Sequence, residues 1–291
     1  MSSIIQLLYS IILGIIQGIS EWLPISSKTQ IILASEYLLK LTFKQAYTFG
    51  LFMEIGTITA AVIYFRKELG ELIRVILGSK DMRQTRLFTY VVVVTVITGL
   101  VGAPLYLITD LLITDSSNGG IALGIPMMII GFVLLGDAAL IRYSKKRQEQ
   151  GIVPRKLENL TLKDYALIGI SQGISALPGV SRSGITTSTM LLLNVEPDEA
   201  FRLSFIVGIF AAIGAFGLTL IASRSNIAAS IVGIGLTGLA IAIITSTIIS
   251  LLLIDFLIKV AGKQKITYVT AGLGIIAIAS GLLYLALAIG L

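Results

Sequence analysis

The stretch "GIIQGISEWLPISSK", residues 14–28, returns in the second half of the chain as "GISQGISALPGVSRS", residues 169–183. Gln17-Gly18-Ile19-Ser20 aligns with Gln172-Gly173-Ile174-Ser175, and a one-residue slip then brings Leu23-Pro24 onto Leu177-Pro178. Ser27 falls on Ser181 and Lys28 opposite Arg182, and the same register carries Ala46-Tyr47 onto Ala200-Phe201. Agreement at two separated sites in one register points to an internal duplication, and a repeat constrains the architecture before any single residue does.

Both copies are polar interruptions in an apolar chain. Of the 291 residues 55% are hydrophobic and 13% charged, with a mean hydropathy of +0.95. Apolar blocks of about 20 residues, the length of a membrane-spanning helix, occur at 46–65, 87–108, 119–141, 203–222, 232–258 and 267–290. A soluble core cannot absorb that many helices that are apolar all round. The apolar run Ile4 to Ile19 lacks a basic leader, and Glu21 with "LPISS" stands where a cleavage site would be. It is therefore expected to stay in the mature protein.

The net charge of +6 does not imply nucleic acid, because the basic residues are not spread evenly. Six lie in 66–86, seven in 142–163 and three in 259–265. These are alternate connections between spans, which the positive-inside rule places in the cytoplasm. With no cysteine there is no disulfide frame, and with no histidine either there is no conventional zinc ligand set. A hard cation held by carboxylates stays open.

Counting crossings from those loops takes the first half from outside to inside and the second from inside to outside. The predicted fold is thus an all-α polytopic membrane protein of two inverted-topology repeats, with six full transmembrane helices and two re-entrant helix pairs. The first repeat covers 1–142 and the second 164–291, joined by a basic cytoplasmic linker at 143–163, all within one membrane domain. Pro24, Pro178 and neighbouring glycines favour a broken hairpin over a straight span in each motif. Such backbone survives at membrane depth only when buried in protein or facing a watery cavity. The two hairpins should therefore meet near the middle, each presenting a helix end, a serine and a cation.

The motif "PGVSRSG", residues 178–184, surrounds one arginine with small residues. Exposed amides, hydroxyls and a guanidinium suit a phosphate group, and a helix starting near Ser183 would add its positive end. Alone, the motif reads equally as a turn with a snorkelling arginine; the "SSK" placed opposite by the repeat favours the phosphate site. Gln17 and Glu21, spaced i, i+4, share a helix face if the helix runs through Ser20. Glu21 could then act as a general base, hold a cation, or pair with Lys28 or Arg182. Ser26 and Ser27 offer a nucleophile or a helix cap. Glu54, at membrane depth, is either a supporting site residue or the partner of a distant base. Asp137 and Asp255, near Arg142 and Lys259, read as interfacial, and the Gly-rich block 272–281 as close helix packing.

These residues together resemble the undecaprenyl-diphosphate phosphatase family, also known for bacitracin resistance. Its members carry Glu/Gln-x-x-x-Glu followed by Leu-Pro-Ile-Ser-Ser, here "QGISE" and "LPISS", and Pro-Gly-x-Ser-Arg-Ser-x-x-Thr, here "PGVSRSGIT" at 178–186. "YFRKEL" at 64–69 and "AFRLSF" at 200–205 extend the resemblance along the chain. It implies a plasma-membrane hydrolase that converts a polyprenyl diphosphate to the monophosphate, recycling the lipid carrier for cell-envelope polymers, with its site open to the outer face. It implies catalytic roles for Glu21, Ser27 and Arg182, with a magnesium or calcium ion at Glu21. Substrate binding falls to Gln17, Ser26, Lys28, Gln30, Gly179, Ser181, Ser183 and Thr186, with Glu54 in support. The implied partners are the lipid diphosphate, the bilayer and, in a dimer, a second copy of the chain, with no nucleic acid.

The chain departs from the family pattern at three places. Gln30 stands where a histidine is usual, Lys28-Thr29 replaces a small pair, and Glu54 replaces a glutamine. Glutamine cannot donate a proton near neutral pH, so a histidine-based step is lost. That loss favours a flippase of polyprenyl phosphate, for which inverted repeats are a natural architecture. Intact Glu21, Ser27 and Arg182 favour the hydrolase.

Overall fold

A computed structural model describes residues 3–23, 25–41, 43–113, 119–148, 153–177, 180–222, 235–261 and 266–288. The regular structure among them is helical: α1 Ser3–Ser20, α2 Ser27–Leu39, α3 Phe43–Tyr64, α4 Arg66–Ile76, α5 Met82–Ile113 and α6 Gly119–Gln148 in the first half. The second half holds α7 Leu162–Ile174, α8 Arg182–Leu192, α9 Pro197–Ala222, α10 Gly235–Ala261 and α11 Ile266–Ala288. Helices α3, α5, α6, α9, α10 and α11 fall on the six apolar blocks of the sequence. Four described stretches, Met82–Ile108, Pro197–Leu218, Gly235–Val260 and Thr267–Leu287, are long and apolar enough to cross a membrane. A fifth segment, Phe49–Tyr64 with Arg66–Ile76, is bent by 74° at Phe65. Outward faces stay greasy: Ile244, Ile248, Leu252 and Phe256, one turn apart on α10, are each more than half exposed. Water would penalise that stripe; hydrocarbon does not.

The two copies of the repeated motif form α1–α2 and α7–α8, two short helical hairpins lodged among the long helices. Glycine sets how closely they pack. On α1, a Cβ at Gly14 would lie 2.6 Å from Ala242 O of α10, and one at Gly18 would lie 2.7 Å from Ile249 Cβ. On α7, Gly169 meets Ile97 of α5 at 2.8 Å and Gly173 meets Val101 at 2.6 Å. Each hairpin therefore uses one Gly-x-x-x-Gly face to touch a long helix of the other half. The halves interlock rather than standing as separate bodies. Gly274 and Gly281 of α11 cross Gly131 and Gly124 of α6 in the same way, each hypothetical Cβ within 2.8 Å of the facing carbonyl oxygen. The glycine-rich terminal block is thus a packing surface, as its composition predicts.

Trp22 fixes the first hairpin turn, packing edge-on against Phe205 of α9 with ring centroids 4.9 Å apart. At the base of the second hairpin, Asp164 Oδ2 accepts from Thr161 N at 2.7 Å and from Arg155 Nη2 at 2.6 Å. Thr161 Oγ1 in turn accepts from Asp164 N, closing a capping box at the start of α7. Asp255 pairs with the exposed Lys259 at 2.5 Å; the Asp137 side chain lies outside the described residues.

Candidate active site

The hairpin turns meet beside α3, and their ends line one cavity of about 240 Å³. Gln17 and Glu21 share a face, as their spacing requires: the Gln17 amide donates to Glu21 Oε2 at 2.9 Å. The Ser27 hydroxyl donates to the same Oε2 at 2.7 Å. Glu21 Oε1 faces Arg182 Nη2, from the other half of the chain, in a direct charge-assisted contact. One carboxylate, 7% exposed, therefore holds a hydroxyl, an amide and a guanidinium at once.

Glu54 of α3 is the second acid. It lies between two cations, with Lys28 Nζ 3.7 Å from Oε1 and Arg182 Nη1 3.6 Å from Oε2. Glu54 Oε2 has no hydrogen-bond partner among the described residues. Two carboxylates and two cations sum to zero formal charge within the protein wall. Such a group is stable at depth only while it stays balanced. Of the pairings open to Glu21, the one with Arg182 forms, while Lys28 goes to Glu54.

Helix geometry adds to the charge. Helices α2 and α8 both begin at the cavity, so the positive ends of two helix dipoles converge on it. Ser181 caps α8, accepting from Gly184 N at 3.2 Å. Ser26 stands at the corresponding place on α2 with φ 56°, a conformation that side-chain-bearing residues rarely take. It makes no cap; its hydroxyl pairs with Thr29 Oγ1 at 3.0 Å.

Glu21, Ser26, Ser27, Lys28, Glu54, Ser181 and Arg182 all line the cavity. Three other residues singled out from the sequence bond to backbone behind its wall. Gln30 Nε2 donates to Ile25 O at 3.3 Å and Thr186 Oγ1 to Arg182 O at 2.7 Å. Ser183 Oγ donates to Glu21 O at 3.2 Å, tying one hairpin to the other. Gly179 lies outside the described residues. The cavity also takes in Thr95 and Thr98, which belong to no motif, and Gln172 and Ser175 of the repeated segment, to which the sequence assigns no site role. The echo of Gln17 in Gln172 was the available signal.

For a hard cation, the cavity offers the carboxylates of Glu21 and Glu54, and no cluster of three or more acidic, histidine or cysteine side chains occurs among the described residues. Both carboxylates already face cations, Glu21 facing Arg182 and Glu54 facing Lys28 and Arg182, so an ion would join them only together with substrate phosphates that bring further negative charge.

Fold and site together define a polytopic helical membrane protein with a buried, charge-balanced polar pocket. The chain belongs to the bacitracin resistance protein BacA family, whose profile matches residues 10–279. It is 47% identical over 279 residues to an undecaprenyl-diphosphatase of Saccharolobus solfataricus, covering 95% of this chain and 96% of that one. An undecaprenyl-diphosphatase of Sulfurisphaera tokodaii is 47% identical over 273 residues, 94% of this chain and 96% of its own. One from Pyrobaculum islandicum is 38% identical over 276 residues, 94% and 96%.

Proposed function

We propose that this protein hydrolyses a polyprenyl diphosphate of the undecaprenyl type to the monophosphate. The observation that carries the reading is Glu21, with the Ser27 hydroxyl on one carboxylate oxygen and Arg182 on the other. Glu21 takes the Ser27 proton as Oγ attacks the terminal phosphorus. The bond from that phosphorus to the bridging oxygen breaks, and the lipid monophosphate leaves. Water then attacks the phosphoserine, releasing inorganic phosphate and restoring the hydroxyl. Arg182 holds the terminal phosphate oxygens in its planar fork, and Lys28 adds a second positive charge. A magnesium or calcium ion held by Glu21 and Glu54 would supply further neutralisation of the phosphate charge.

The pairing of helices supports an inverted repeat with six spans. Hairpin α1–α2 rests on α10 as α7–α8 rests on α5, and each partner is the second long span of the opposite half. With the basic connections in the cytoplasm, the cavity wall on α5 runs from Thr95 toward Tyr106, away from that face. The site then opens outward, within the plasma membrane.

The test is phosphate release from undecaprenyl diphosphate by purified protein in detergent, with and without chelator. Wild-type turnover lost in Ser27→Ala supports the nucleophile; undiminished turnover in that variant moves the attack to a water held by Glu21. Polyprenyl phosphate transport in liposomes without any phosphate release would make the protein a flippase instead. Activity untouched by chelator would remove the cation.

A further inference from the structure

The charged end accounts for only part of the cavity's polar wall. Gln172 of α7 lines the same cavity and is 1% exposed. Its Oε1 accepts from the Thr98 hydroxyl of α5 at 2.8 Å, and that hydroxyl also lies 3.2 Å from Gly169 O. This contact turns the other end of the amide away, and Nε2 has no hydrogen-bond partner among the described residues. One turn back on α5, Thr95 Oγ1 is likewise buried without a partner and lines the cavity. A buried donor left unmade costs about 1–3 kcal/mol; of the buried donors without a partner among the described residues, Gln172 Nε2 and Thr95 Oγ1 are the two whose residues line this cavity.

We infer that Gln172, oriented by Thr98, is an uncharged subsite for the phosphate that stays esterified to the prenyl chain. The inference rests on the hydrolase reading above. Ser27 and Arg182 must meet the terminal phosphorus, since that is the phosphate released. The inner phosphate then lies between them and the apolar part of the cavity, which Phe210, Ala211 and Leu218 of α9 and Ala103 and Tyr106 of α5 line. Of the two buried donors without a partner that line the cavity, Gln172 Nε2 and Thr95 Oγ1, only the amide is oriented by a neighbouring side chain, the Thr98 hydroxyl.

The chemistry of the two phosphates explains why one end is charged and the other is not. The terminal phosphate carries most of the negative charge, and Arg182 and Lys28 serve it. The inner phosphate carries about one charge until the bridging bond breaks, then gains a second. An amide N–H strengthens its bond as that charge develops, yet it holds the dianionic product less tightly than a cation would. The first motif copy has Glu21 one turn beyond its glutamine and uses it for chemistry. The second has Ala176 one turn beyond Gln172, so its amide stays available to the ligand.

The experiment compares Gln172→Leu, Gln172→Glu and Thr98→Val with wild type, using two product inhibitors, undecaprenyl phosphate and inorganic phosphate. Folding is checked by gel filtration and thermal unfolding in detergent. Loss of one hydrogen bond to a charged phosphate corresponds to about 10- to 100-fold in affinity. Inhibition by undecaprenyl phosphate should weaken by that factor in Gln172→Leu and at least as much in Gln172→Glu. Inorganic phosphate, which needs only the Arg182 end, should inhibit within about twofold of wild type. Thr98→Val, which frees the amide to rotate, should show the same split to a smaller degree and serves where the Gln172 variants do not fold. Equal weakening toward both inhibitors, or no change toward either, overturns the subsite. A wild-type protein that releases no phosphate overturns the hydrolase reading itself, which separates the two failures.

Discussion

Replacing Arg182 tests the charge balance and the chemistry in one set of variants. The wild-type cavity holds Glu21 and Glu54 against Lys28 and Arg182. Arg182→Ala leaves two carboxylates, whose side chains are 4% and 3% exposed, facing only Lys28. Breaking a buried pair in this way costs about 3–5 kcal/mol, so thermal unfolding should shift down markedly. The reaction should lose about 10³-fold or more in kcat/KM, the scale set by arginines that stabilise a transferring phosphoryl group. Arg182→Lys keeps the charge, but one ammonium cannot hold both carboxylates or two phosphate oxygens. Its stability should fall by only about 1 kcal/mol while kcat/KM still falls roughly 10²-fold. The deciding variant is Arg182→Ala with Glu54→Gln, which returns the formal charge to zero. Stability should recover by about 2 kcal/mol and activity should not. Trp22, the only tryptophan, is 5% exposed on the turn beside Glu21 and reports unfolding directly. Activity is read as phosphate release. Activity restored along with stability in the double variant would refute the phosphate-binding role and leave Arg182 a structural counter-ion.

Gly18→Ala would press a methyl to within 2.7 Å of Ile249 Cβ and 2.9 Å of Ser246 O. It should cost about 1–3 kcal/mol, whereas Gly70→Ala, whose Cβ meets nothing within 4 Å, should not destabilise; thermal unfolding of both decides. At Asp164, burial raises the carboxyl pKa, but hydrogen bonds from Arg155 and Thr161 outweigh it and hold the group below its ordinary range. The stability it confers is therefore present above the unfolded-state value of about 3.9 and is lost as pH falls through the lower folded value. Wild type should exceed Asp164→Asn in stability at pH 7, and the gap should close on acidification below about pH 4; a gap independent of pH refutes the assignment. Cysteines placed at Lys80 and Ser225 should label from opposite faces of intact cells, and labelling from one face refutes the inverted topology.

The positions of the long helices were written in the sequence, because a span depends on a local run of apolar residues. The block at 46–65 became Phe43–Tyr64 and that at 267–290 became Ile266–Ala288. The hairpin breaks were legible too, from the proline-marked turns and their repetition. So was the Gln17–Glu21 contact, which needs only the pitch of one helix. What the sequence left open was pairing across the halves. Glu21 and Arg182 lie far apart in the chain, and Lys28 had as good a claim to that carboxylate. Helix rotation decides such choices, and α3 and α5 are apolar around most of their circumference, so their pattern does not say which face looks inward. Only the docking of the glycine faces, Gly18 on Ile249 and Gly173 on Val101, turned the hairpins so that Arg182 reaches Glu21 and Gln172 meets Thr98. Hydrophobic length fixed what crosses the membrane; close backbone contact fixed which polar groups meet inside it.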